Sequence, residues 1–189
     1  MTEQIFLAFL GLETPRRFVE WIRNFQSKPD LKVNSFLCGR RDPLSTNGEV
    51  DLNSKKVYAE PNIPFWAQCE YHLLPFHGVV HIGYFISDGF NPIGRSHLQS
   101  IIHFYGFKLQ VQERLTRQVA EAISPLLGGD VIVVAEASHM CMISRGIEKF
   151  GSYTSTIAVL GRFATDVTVR ASFLKTIPSH ASCRAIILA

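Results

Sequence analysis

Residues 98–126 hold two helical apolar periods back to back, with strand-like runs on either side, and no other feature limits the fold as much. Leu98, Ile101, Ile102 and Tyr105 fall at i, i+3, i+4 and i+7. Val111, Leu115, Val119, Ile123 and Leu126 carry the period on until Gly128-Gly129 ends it. Val131–Ala137 (VIVVAEA) is an almost unbroken apolar run that reads as a buried strand, and Tyr153–Phe163 reads as another. Upstream, Val79–Ile86 (VVHIGYFI) is β-branched and aromatic, and with the stretch before Cys69 it predicts two strands joined by a turn near Pro75–Gly78. The order is strand, strand, helix, helix, strand, strand, then a short helical tail near Val167–Leu174. This predicts an α+β fold: a four-stranded, mostly antiparallel sheet carrying two antiparallel helices on one face. Such a sheet leaves its other face and its edges to be covered, so an oligomer is expected.

The N-terminal part has a different character. Thr14-Pro15 pairs a capping hydroxyl with proline at the first helical position, and Phe18, Trp21, Ile22 and Phe25 follow at helical spacing, predicting a helix over 15–26. Residues 27–56 are polar and rich in turn formers (Lys28-Pro29-Asp30, Asp42-Pro43, Asn47-Gly48) and read as a loop region. A chain of 189 residues buries about 70% of its unfolded surface and needs no structural metal to fold. A metal found here is therefore expected to serve chemistry. The net charge of +3 gives no dense basic stripe, so no nucleic-acid partner is implied. The longest apolar stretch, Ile5–Leu12, is far short of the roughly 20 residues that cross a bilayer, and it lacks the flanks of a signal peptide. No membrane partner is expected, and the four cysteines (Cys38, Cys69, Cys141, Cys183) read as reduced thiols in a cytoplasmic setting.

Some of these residues form a chemical pattern. Cys69 and His72 stand as Cys-x-x-His, and Cys141 lies near the end of the strand that begins at Val131. Thiolate and imidazole are the ligands zinc prefers, although free cysteines are also common as small buried apolar groups. Three ligands without a fourth is the pattern of a catalytic zinc. The alternative is a closed site completed by His77, His81 or His139. On a strand, His139 and Cys141 share a face, which would bring an imidazole, the natural proton donor and acceptor at neutral pH, near any such metal. Arg145, backed by Lys149, and further Arg95, Lys108 and Arg114 suit an anionic substrate, phosphate above all. Glu113 either pairs with Arg117 at i+4 or offers its carboxylate to two donors on a planar base edge, as guanine presents them.

Taken together, these motifs resemble the GTP cyclohydrolase I family. The likeness runs through Gly11–Arg16 (GLETPR), Cys69–Phe76 (CEYHLLPF), Gln110–Thr116 (QVQERLT), His139–Met142 (HMCM) and Arg145-Gly146, and ends near Phe163. It is strongest to the second module of the plant form, in which two such modules share one chain. The resemblance implies the T-fold over 59–175, preceded by an N-terminal helix and loop region (1–58) and followed by a tail (176–189) with no assigned role. It also implies toroidal, decamer-like assembly, with active sites at subunit boundaries. The implied reaction is zinc-dependent: water attacks C8 of GTP, the imidazole ring opens, formate leaves, and 7,8-dihydroneopterin triphosphate forms at the head of tetrahydrofolate synthesis. By position, Cys69, His72 and Cys141 match the zinc ligands, His139 the acid/base, Gln112 and Glu113 the guanine contacts, and Ser96 and Arg145 the triphosphate contacts.

Three departures stand out. Tyr71 replaces the first of two adjacent histidines at a second catalytic position, and tyrosine, with a pKa of about 10, is a poor proton shuttle at neutral pH. The family's Gly-Leu-Ser-Lys reads Gly94-Arg95-Ser96-His97, and Ser100 stands where an arginine is expected. Phe107-Lys108-Leu109 replaces a segment in which the family carries a basic residue. These losses imply a module that borrows residues from a companion module or subunit.

Overall fold

The computed structural model describes residues 16–17, 19–20, 48–52, 55–86, 92–146, 151, 153–177 and 184–188. The elements are β1 (Gly48–Leu52), β2 (Lys55–Cys69), β3 (Pro75–Phe85), α1 (Arg95–Gly106), β4 (Leu109–Gln110) and α2 (Gln112–Leu127). After them come β5 (Val131–His139), α3 (Met140–Ile143), β6 (Tyr153–Leu160), α4 (Arg162–Thr165), α5 (Val167–Thr176) and β7 (Arg184–Leu188). Residues 16–17 and 19–20 are helical, and the rest of the helix expected over 15–26 lies outside the described residues.

The centre of the sheet is the expected antiparallel set β2-β3-β5-β6. Among the described residues the sheet is larger, with seven strands in place of four. β1 adds to β2 antiparallel, while β4 pairs with β2, and β7 with β6, in parallel. β1 falls in what reads as loop because its Glu-Val-Asp-Leu alternation is short and lies among turn formers.

β5 is buried along both faces, which is why its sequence is almost continuously apolar rather than alternating. Val131, Val133 and Ala135 join Val80, Ile82 and Tyr84 of β3 against Leu98 and Ile102 of α1 and Leu115, Val119 and Ile123 of α2. Each such fully buried aliphatic side chain contributes about 1.5–3 kcal/mol. The opposite face is also partly covered, since Ile132, Val134 and Phe85 pack against Phe163 of α4, Phe173 of α5 and Ile177. α2 ends where Gly128 takes a left-handed φ of 87° and its N–H bonds Ser124.

Two boundaries differ from expectation. The β2–β3 turn is Glu70–Leu74, closed by Leu73 N–H to Cys69 O (2.8 Å) and Cys69 N–H to Leu74 O (3.0 Å), and Pro75 already opens β3. Gly78 is needed inside β3 for a different reason: a Cβ there would lie 1.8 Å from the Glu136 carbonyl oxygen of β5. β5 stops at His139, so Cys141 sits on the single turn of α3 and not on the strand. The strand argument for a shared face with His139 therefore fails.

Candidate active site

The β2–β3 turn and the β5–α3 junction are neighbours because β3 pairs with β5, setting Phe76 opposite His139. The tight turn presents Cys69 and His72, and α3 turns Cys141 back toward them. The sulfurs of Cys69 and Cys141 and a ring nitrogen of His72 all lie within 4.8 Å of one another. Both cysteines are buried and His72 is exposed. The Cys69 Sγ to His72 Nδ1 separation is 3.4 Å. A tetrahedral zinc, with Zn–S about 2.3 Å and Zn–N about 2.0 Å, requires about 3.5 Å between such a pair. Burial pushes the Cys141 thiol up and the adjacent Cys69 sulfur adds to the effect, while Arg145 opposes it. A buried thiol held from ionising beside a second sulfur is what a divalent cation would relieve, so the donor set fits zinc.

Among the described residues this three-member cluster stands alone. His81 does not complete it: fully buried between Val80 and Ile82, it accepts the Asn62 N–H at Nδ1 (3.2 Å) and faces Glu136 with its other nitrogen at 3.8 Å. His77 is exposed on β3.

His139 is held from two sides. Phe76 stacks on its ring at 4.6 Å with planes 4° apart, and the Gln112 side-chain oxygen lies 2.5 Å from its Nε2. Gln112 opens α2 and is only 2% exposed. Its amide nitrogen donates to Ala135 O (3.0 Å) of β5, and to Thr154 O (2.9 Å) and Thr156 Oγ1 (3.2 Å) of β6. Glu113, the next residue, is half-buried in the first turn of α2. It is not the partner of Arg117, which lies 4.0 Å from Glu121 instead.

The basic residues sort by their partners. Arg95 donates to the buried Glu60 carboxylate (3.4 Å) and to the carbonyls of Pro61 (2.8 Å) and Asn62 (2.7 Å), where β2 is irregular. Its guanidinium is thus committed to the sheet. Lys108 lies over the rings of Phe104 and Tyr105. Arg114 forms a two-pronged pair with Glu70, whose carboxyl it holds below the ordinary range. Arg145 is exposed and anchored through Nε to the Cys141 carbonyl (2.8 Å), beside the cysteine cluster. Ser96 is exposed in the first turn of α1, and its carbonyl accepts the Ser100 hydroxyl (2.9 Å). Tyr71 is 72% exposed at the tip of the turn.

Sequence reasoning missed Phe76, Glu70 and the Thr116–Thr156 pair under Gln112 (2.7 Å). Only Glu70 left a signal, as a carboxylate fixed between Cys69 and Tyr71.

Fold and site together define an α+β domain with a cysteine–histidine cluster beside an oriented histidine. The family model for GTP cyclohydrolase I matches residues 11–178, and the chain belongs to that family. It is 60% identical over 169 residues to GTP cyclohydrolase 1 of Arabidopsis thaliana, covering 88% of this chain and 35% of that protein. With the Solanum lycopersicum protein of the same name it shares 59% over 172 residues, covering 90% and 37%. GTP cyclohydrolase 1 of Dehalococcoides mccartyi is 44% identical over 167 residues, covering 87% and 83%. The chain thus spans about a third of the plant relatives' length, as expected of one module of the two-module plant form.

Proposed function

We propose that this chain is a zinc-dependent GTP cyclohydrolase I module that converts GTP to 7,8-dihydroneopterin triphosphate and formate, within an oligomer or beside a companion module. The observation that carries the reading is the convergence of Cys69, His72 and Cys141 at zinc-like spacing next to the Gln112–His139 contact. Zinc held by those three residues supplies Lewis acidity that makes water a nucleophile at neutral pH. His139 carries protons to and from the guanine imidazole ring as it opens. Glu113, through its carboxylate, and Gln112 beside it serve the guanine, and Ser96 and Arg145 bind the triphosphate. No described helix is long and apolar enough to cross a membrane.

Specific observations favour a site completed by a companion. Arg95 is spent on Glu60, Pro61 and Asn62, and Ser100 bonds its own helix, so neither replaces the family's missing phosphate-binding charges. Tyr71, where the family has histidine, points to solvent, where a neighbouring subunit can supply the missing acid/base. The test is formate and neopterin-type fluorescence from GTP, measured for the isolated chain and with the companion module. Turnover should need the companion, or rise in Tyr71→His. Full turnover by the isolated chain that Tyr71→His does not raise refutes the need for a companion.

A further inference from the structure

The Gln112 amide is oriented without ambiguity, and that places a proton on His139 Nε2. Two of the three groups around its nitrogen, Ala135 O and Thr154 O, are backbone carbonyls, which can only accept. The third, Thr156 Oγ1, also accepts here. Thr116 gives its single hydroxyl proton to Gln112 O (2.8 Å), so the proton between Thr116 and Thr156 must come from Thr156. Turning the amide over would aim its oxygen at three acceptors. The nitrogen therefore faces β5 and β6, and the oxygen faces His139 Nε2 at 2.5 Å. An amide oxygen cannot donate, so Nε2 must carry the proton in this contact. Phe76, stacked parallel on the ring, opposes its turning over, which would bring Cε1 to where Nε2 lies.

We propose that Gln112 is a positioning residue that locks His139 as the Nε2–H tautomer, so that the imidazole exchanges protons with the substrate at Nδ1. This deepens the functional reading above and rests on it: Gln112 serves the guanine through His139, and direct recognition of the base falls to Glu113. The role needs α2, β5 and β6 at once, since the amide is gripped by the last two while its own residue opens the first.

The test is long-range nitrogen–proton NMR on the zinc-loaded chain with 15N-labelled histidine, the His139 signals being assigned by their loss in His139→Asn. The expected result is a proton on Nε2, slow to exchange with solvent, and no proton on Nδ1. In Gln112→Leu that protected Nε2 proton should be lost. With the companion module present, Gln112→Leu should lower kcat about 100-fold, the scale of one acid/base contribution, and leave KM for GTP within about threefold. A proton on Nδ1 in the unaltered chain overturns the proposal, as does an equally protected Nε2 proton in Gln112→Leu. So does a variant that raises KM while sparing kcat, which would make Gln112 a direct guanine ligand. If Gln112→Leu does not fold, the tautomer of the unaltered chain decides alone. Absence of any formate from GTP would refute the functional reading instead, without touching the NMR result.

Discussion

Breaking the Glu70–Arg114 pair should loosen the Cys69–His72 turn by a measurable amount. Glu70 sits between Cys69 and His72, and Arg114 on the first turn of α2 grips its carboxylate with both terminal nitrogens, one at 2.8 Å. Two unit charges about 4 Å apart attract by roughly 4 kcal/mol at an effective dielectric of 20 and by roughly 1 kcal/mol in water. The Arg114 and Glu70 side chains are 39% and 24% exposed, so solvent screens the pair toward the lower figure, and about 1 kcal/mol is expected. Because the pair orders the turn that presents two of the three ligand residues, that energy should appear as metal affinity, weakening binding about fivefold in Arg114→Leu. The assay is a cobalt titration against a competing chelator, run on Glu70→Gln, Arg114→Leu and the double variant. A coupling energy under about 0.3 kcal/mol, with unchanged cobalt affinity in both single variants, refutes the reasoning. The pair also predicts a pH dependence. Arg114 holds the folded Glu70 pKa below its ordinary 4.5, so the contribution is present above that value and is lost as pH falls through the lower folded one. In thermal melts of the metal-free chain, the stability gap between the unaltered chain and Arg114→Leu should close over that acid range.

Other perturbations test the frame around the site. Gly78→Ala forces a Cβ to within 1.8 Å of the Glu136 carbonyl, two residues from the Phe76–His139 pairing, and should cost about 3 kcal/mol in chemical denaturation. Arg95→Leu takes the guanidinium from a fully buried Glu60 and should also cost about 3 kcal/mol, read as a lowered Tm. The same variant should leave KM for GTP unchanged with the companion present, because Arg95 serves the sheet; a tenfold rise in KM would make it a phosphate ligand after all. Cys69→Ser should about halve the sulfur-to-cobalt charge-transfer band, leaving the Cys141 contribution, while the chain stays folded.

What could be read from the sequence was local. The period through Leu115, Val119 and Ile123 announces α2, and the unbroken apolar run of β5 announces a strand covered on both faces, because burial writes itself directly into residue type. Cys-x-x-His is likewise visible as spacing. What could not be read depends on partners far along the chain. Arg95 looks like a phosphate ligand until Glu60 and the carbonyls beside it, more than thirty residues away, are seen to hold it. Gly78 looks like a turn until β5 is placed beside it, and β1 and β7 exist as strands only because β2 and β6 offer edges to them. Nothing local reveals, either, that the Gln112 amide is gripped by β5 and β6.

The most direct test of the central claim is transfer of the C8 carbon of GTP, labelled with 13C, into formate by the zinc-loaded chain in the presence of its companion module. The account predicts labelled formate in equal amount to the pterin triphosphate formed, and none when this chain carries Cys141→Ser in an assembly whose only complete zinc cluster is its own. Zinc bound at Cys69, His72 and Cys141 without labelled formate, or formate production unaffected by Cys141→Ser in that assembly, would contradict it.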